Sequence, residues 1–352
     1  IIGVQMDDTQ AIIADFEIKY FTPIVGIFGI AGNVINLLVL SRVRYYHKQP
    51  ANGRQANRGL IALAVSDMLF CVCILPRTFV NPFSNLFHTY SFSLYYQTYS
   101  TGLISLFILT STFITVILSV SRYLTMCQPF RALGVVKTVS SVWSYTIASF
   151  LALVLNMPMF FQYQINKMVV ENSTDTSTTL IYLDINVALH PFTTQGQVYM
   201  WIRFLLGVAA PTLIIIVCNI ALIHALRSSA RLQRDCHALT RNVGRQNNIS
   251  VLFIVIAVLY VVLVLPGELL NFIKDSSKEG IELSLKVRPF TNMLQMLNFA
   301  CMFVIYCALN VHFRDIVVGY LQCKSRSDLE LLGRSQSASF RSTKSSHNTT
   351  PV

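Results

Sequence analysis

The sequence predicts an all-α membrane protein: a bundle of seven transmembrane helices followed by a short amphipathic eighth helix. Three observations predict it. The 352 residues are 53% hydrophobic and only 12% charged, with mean hydropathy +0.55; an average soluble domain carries about twice that charge. Apolar runs of about 20 residues, the length a helix needs to cross the hydrocarbon core, recur along the chain. Lys and Arg concentrate in alternate loops between those runs. Together these exclude a solvated globule, a disordered chain and a coiled coil.

The runs cover residues 20–40, 59–80, 95–124, 139–163, 200–226, 249–273 and 287–309. Backbone that faces lipid must satisfy its own hydrogen bonds, so each run is expected to be a helix. The alternating pattern of a membrane barrel is absent, and no internal repeat of the transporter kind is evident.

Orientation follows from charge. Segments 41–58, 122–138, 227–248 and everything from 310 hold 19 Lys and Arg against four acids (Asp235, Asp315, Asp328, Glu330). The opposite loops and the N-terminal segment are balanced or acidic, with Asp7, Asp8, Asp15, Glu17, Glu171, Asp175 and Asp184. The basic side faces the cytoplasm, so the N-terminus is placed outside and the C-terminus inside. The net charge of +11 therefore reports topology rather than a nucleic-acid partner. No cleavable leader is legible, and the first span can itself start insertion. Asn172-Ser173-Thr174, in the outer loop after span four, is a glycosylation acceptor, whereas Asn248 and Asn348 fall on the cytoplasmic side.

None of the eight cysteines falls in an outer segment, so the even count is not read as a disulfide framework. No Cys/His cluster has metal-ligand spacing. Packing, or strand pairing in Thr179–Val187, is expected to hold the outer loops. Past the last span, Phe313, Ile316, Val317, Tyr320 and Leu321 recur at three- and four-residue spacing, giving an amphipathic helix over 310–322 along the inner leaflet. Cys323 ends it, either palmitoylated or unmodified. The expected organisation is an extracellular segment 1–19, a seven-helix domain 20–309, an amphipathic helix 310–323 and a disordered Ser/Thr-rich cytoplasmic tail 324–352.

Short motifs stand in order on this scaffold. Gly32-Asn33 lies in span one, Leu63-Ala64-Val65-Ser66-Asp67 in span two, and Ser121-Arg122-Tyr123 closes span three with Pro129 after it. Pro211 and Pro266 lie in spans five and six, and Tyr306 precedes Phe313-Arg314. Together, over residues 20–322, they resemble the motifs of rhodopsin-like (class A) G-protein-coupled receptors, in which the two prolines mark the kinks of spans five and six. Asn156-Met157-Pro158-Met159-Phe160-Phe161 and Phe303-Val304-Ile305-Tyr306-Cys307 are similar to invertebrate FMRFamide-type neuropeptide receptors. Departures accompany the match. Gln97 replaces the disulfide cysteine of span three, Ser121 the acid beside Arg122, and Met302-Phe303 the Asn-Pro of span seven. Val264 replaces the span-six Trp, and Asn219 the span-five Tyr. Trp143 is not equated with the family's span-four Trp.

The resemblance implies three groups of site residues. Asp67, with Ser111 and Asn298, matches part of a sodium site, weakened by Met302 and Val264; the alternative is a protonated or hydrogen-bonded aspartate tying spans together. Arg122 and Tyr123, with Asn219 and Tyr306, match a switch that is released to meet a G protein. Ser121 offers Arg122 only a neutral bond, about half as strong as a charge-assisted one. The off state is thus less firmly held unless another group compensates; a snorkelling Arg is the alternative. Arg77, Arg203 and Glu268 lie where the family's ligand cavity opens. Arg203 and Glu268 are expected to pair, with Arg77 facing the same cavity and Gln97, Thr101, Asn292 and Gln295 as polar lining. A structural ion pair competes with direct ligand contact, the favoured form of which is a peptide cation on Glu268. Arg227, Arg231, Arg234, Arg241 and Arg245 meet either a G protein or the inner leaflet.

What the resemblance implies is a multi-pass plasma-membrane receptor that passes binding of an extracellular ligand, a neuropeptide on the FMRFamide-type likeness, to a heterotrimeric G protein. Arrestin on the phosphorylated tail and membrane lipids are further partners, and no cofactor beyond a candidate sodium ion is expected. Ile104 in place of an acid argues against an amine ligand, and Met296 in place of a lysine against retinal. No GxGD, Ser/His or HExxH constellation points to an enzyme. A chemosensory or decoy receptor with weak coupling is the nearest alternative, and a small-solute transporter or channel a more distant one.

Overall fold

The computed structural model describes residues 8–43, 51–80, 86–87, 91–128, 141–171, 179–187, 193–235 and 241–321. Among them, six helices are long and apolar enough to cross a membrane. There are seven if the pair Glu279–Ala300 and Met302–Leu309 is one interrupted span. The chain divides into two compact units, Ile1–Val304 and Ile305–Val352.

The first span begins well before residue 20. Helix α1 (Asp8–Phe16) runs through a π-turn at Glu17–Phe21 into α2 (Thr22–Val43). An i,i+4 pair of Lys19 with Asp15 at 2.7 Å supports this extension, and the Thr22 hydroxyl donates to the Glu17 carbonyl at 2.8 Å. The second span, α3 (Ala51–Ile74), tightens into a 3-10 turn at Leu75–Thr78, where Pro76 lacks an N–H. Tyr96 from the third span donates its hydroxyl to the Cys73 carbonyl there, at 2.9 Å.

Helix α4 (Phe92–Cys127) is the long central span, capped at its start by the Ser91 hydroxyl on the Leu94 N–H. Helix α5 (Ser141–Phe160) lies against it. Asn156 donates to the Gly102 carbonyl at 2.7 Å, and a Cβ on Gly102 would stand 2.9 Å from the Phe160 ring. This close approach needs a glycine. Trp143 faces outward.

Between spans four and five, β2 (Tyr163–Glu171) and β3 (Thr179–Val187) form an antiparallel hairpin, Tyr163 opposite Val187 through Glu171 opposite Thr179. The two-residue strand β1 (Leu86–Phe87) pairs with the other edge of β3, giving the order β1-β3-β2. Strand pairing thus occurs where the sequence places it.

Spans five and six share one device. The fifth is α6 (Thr194–Phe204), a π-turn at Leu205–Ala209 and α7 (Ala210–Asp235); the sixth is α8 (Arg241–Leu259), a π-turn at Tyr260–Val264 and α9 (Leu265–Ser276). Pro211 and Pro266 each follow a π-turn closely, and the widened turn absorbs the missing donor and the ring clash. The seventh span, α10 (Lys278–Ala300), starts at a Ser277 cap earlier than residue 287 and breaks at Cys301 before α11 (Met302–Leu309). The break forms without the family's proline.

The core joins Phe70, Ile74, Ile108, Ile215, Tyr260 and Phe299, with the Phe70 and Phe299 rings stacked at 3.9 Å. In the second unit, α12 (Val311–Leu321) coincides with the expected amphipathic helix. The Asn310 side chain accepts the Phe313 N–H, and the Tyr306 and Phe313 rings lie 5.4 Å apart.

Candidate functional site

A largely buried charge pair joins spans five and six. Arg203, on α6, places Nη2 at 3.3 Å from Oε2 of Glu268, on α9. The same nitrogen donates to the Ser105 hydroxyl of span three at 2.8 Å. Gln295 of span seven donates Nε2 to the other carboxylate oxygen at 3.3 Å. Four spans therefore meet at this ion pair, three of them at the carboxylate itself, and Glu268 is 6% exposed. Arg203 retains one unsatisfied donor, Nε. The pair borders a cleft walled by Met159, Tyr199, Phe204 and Phe272, with the Phe204 and Phe272 rings stacked at 3.9 Å. Thr101 precedes Ser105 by one helical turn, and Gln97 by two; both are half-buried.

Arg77 does not join this group. Its guanidinium pairs at 3.4 Å with Glu17, which the π-turn of the first span buries to 1% exposure. Asn292 and Arg288, from span seven, face the same carboxylate. The expected common cavity is therefore two clusters. Arg203, Glu268, Gln295 and Ser105 form one; Arg77, Glu17 and Asn292 form the other. The physical reason is the early helix start, which carries Glu17 into the bundle beside the half-buried Arg77 and so gives the buried carboxylate and the guanidinium each a partner.

Asp67, in α3, is fully buried. Its Oδ1 accepts from the Ser111 hydroxyl at 3.0 Å, while Oδ2 and the Asn298 Oδ1 have no partner. Ser111 and Asn298 border a small cavity with Thr112, Thr115, Tyr260 and Met302. Unpartnered buried oxygens are costly and suit a hard cation. The residues present thus fit a sodium ion with a reduced donor set, Met302 supplying no oxygen.

At the far end of α4, Arg122 is 3% exposed. Its Nε and Nη2 lack hydrogen-bond partners, and its Cζ lies 4.5 Å from the centre of the Phe253 ring of α8. Asn219 donates to the Ser119 hydroxyl at 3.2 Å and to the Ile215 carbonyl at 2.7 Å, leaving its own oxygen unpartnered. Tyr123 accepts from Gln128 at 3.0 Å.

The 7 transmembrane receptor (rhodopsin family) profile matches residues 32–310. The chain belongs to the rhodopsin family of seven-transmembrane receptors. It is a multi-pass membrane receptor of a signalling family, not an enzyme. It is 23% identical over 327 residues to a Caenorhabditis elegans protein named "Probable G-protein coupled receptor", covering 90% of this chain and 72% of that one. It is 21% identical over 300 residues to the FMRFamide receptor of Drosophila melanogaster. That alignment covers 83% of this chain and only about half (51%) of the fly protein.

Of this receptor's remaining expected sites, Tyr306 lies on α11 in the second unit. Asn172 and Cys323 lie outside the described residues, as do Pro129 and the tail. Sequence reasoning missed Glu17, read as an acid of the extracellular N-terminal segment; the signal was an acid flanked by Phe16, Ile18 and Phe21. It also missed Phe253, which composition cannot separate from any other apolar residue of span six.

Proposed function

We propose that the receptor carries the signal of an extracellular peptide to a heterotrimeric G protein at the plasma membrane, with its N-terminus outside. The observation that carries this reading is the Arg203–Glu268 pair at the edge of an aromatic-walled cleft. A buried ion pair adds little net stability of its own, and four spans converge on this one. A ligand that engages it gains leverage over the spans that hold it. The named relatives support a receptor, and the fly protein's name supports a peptide.

Both Glu268 oxygens are engaged, whereas Arg203 Nε is not. A ligand carbonyl or carboxylate reaching Arg203 therefore fits better than a ligand cation reaching Glu268. Aromatic ligand side chains would stack on Phe204 and Phe272. Binding favours the conformation with span six displaced, shifting its population, and Arg122 is then freed toward the G protein. Sodium at Asp67, Ser111 and Asn298 opposes that shift. The tail recruits arrestin once phosphorylated.

The test is a neuropeptide library screened on cells expressing the full chain, with G-protein dissociation as readout. An active peptide should lose at least tenfold in potency in Arg203→Lys, which lacks the Nε donor geometry. No response to any peptide, with the receptor at the surface, counts against the reading.

A further inference from the structure

We infer that Phe253 is the positioning residue that holds Arg122 in the off state, taking the place of the acid that position 121 lacks. This rests on the proposed reading of the chain as a G-protein switch, and extends it to how that switch is restrained.

Arg122 carries a full charge at a site almost closed to water, with two of its nitrogens unsatisfied. Such a charge requires a partner. The neighbouring residue is Ser121, which has no charge to offer. The carbonyl of Ser121 is bonded instead by the Thr125 hydroxyl at 2.7 Å. What lies against the guanidinium is the Phe253 ring, 4.5 Å from Cζ to centroid and itself 2% exposed. Tyr145, from span four, stands near the same group. A cation over an aromatic face is drawn by the ring quadrupole, and more strongly when both are desolvated.

The contact bridges spans three and six, which is what a restraint must do. Outward movement of α8 withdraws the ring from Arg122, so the attraction exists in the closed arrangement and is lost in the open one. Only such differential contacts bias a two-state equilibrium. The absent acid therefore does not by itself predict high basal signalling, because the compensating group is an aromatic ring.

The experiment varies the ring while keeping its volume close to the parent. Full-length receptor would carry pentafluorophenylalanine at 253, or Phe253→Met. Spin labels on α4 and α8 report the distance between the two spans, and nucleotide exchange on added G protein reports coupling. The fluorinated ring keeps the shape but reverses the quadrupole. It and Phe253→Met should raise the open population on the order of tenfold. Ser121→Asp added to Phe253→Met should restore the closed distance. Parent-like distances with the fluorinated ring would overturn the inference, as would a failure of Ser121→Asp to restore the closed distance in Phe253→Met. If distances change as expected but no variant drives nucleotide exchange, the coupling reading fails and the restraint stands.

Discussion

Both carboxylate oxygens of Glu268 are engaged inside the bundle, by Arg203 and by Gln295. Glu268→Gln would therefore leave Arg203 buried without its counter-charge, at a cost of about 3–5 kcal/mol. Thermal unfolding of the purified receptor should show a lowered midpoint, and the exchange Arg203→Glu with Glu268→Arg should recover much of it. An undiminished midpoint in Glu268→Gln would remove the pair from the structural account. Asp67 gives a second prediction. If sodium binds there, salt exchange from potassium to sodium should stabilise the parent by ~1.4 kcal/mol at tenfold the dissociation constant. Asp67→Asn should show no such difference. A sodium response that survives in Asp67→Asn would place the ion elsewhere. The two sites differ in how legible they were. Arg203 and Glu268 stand out as charges inside apolar runs on neighbouring helices. Glu17 did not, because an acid just before a run looks the same whether the helix starts before it or after it.

Elements follow the same logic. The apolar runs located every span, but their ends were misplaced where a polar residue is carried by a helix beyond the hydrocarbon length. The first span starts at Asp8 and the seventh at Lys278, each beyond the point where hydropathy falls. The π-turns before Pro211 and Pro266 were legible only as kinks, since proline reports a lost donor and not how the ladder absorbs it. The contact between spans three and four is testable at one residue. Gly102→Val would drive methyl groups into the Phe160 ring, where a bare Cβ already stands at 2.9 Å. It would also disturb the Asn156 bond to the Gly102 carbonyl. Overpacking of this kind costs about 1–3 kcal/mol. The expected result is a lower unfolding midpoint, partly recovered by Phe160→Leu. Equal midpoints for Gly102→Val and parent would show that the helices separate freely there.

For the molecule as a whole, composition and charge alternation were enough to give the class of fold, because lipid permits few backbone solutions. What they leave open is whether packing or strand pairing holds the outer loops. The family's usual cysteine is Gln97 here, and the cysteines among the described residues are free. The β1-β3-β2 sheet stands in for the covalent tie. Its central strand carries the argument: Asp184 faces Leu86 on one side and Asn166 on the other. A proline at 184 would remove a ladder donor from a strand paired on both edges, where proline is not accommodated. The receptor's unfolding midpoint should therefore be the same with and without a thiol reductant. Asp184→Pro should lower it in both conditions by an equal amount, and should raise amide exchange across both strands of the hairpin. A midpoint that falls on adding reductant to the parent would mean that a disulfide bears this load. It would also move at least two cysteines to the side of the membrane from which charge counting excludes them.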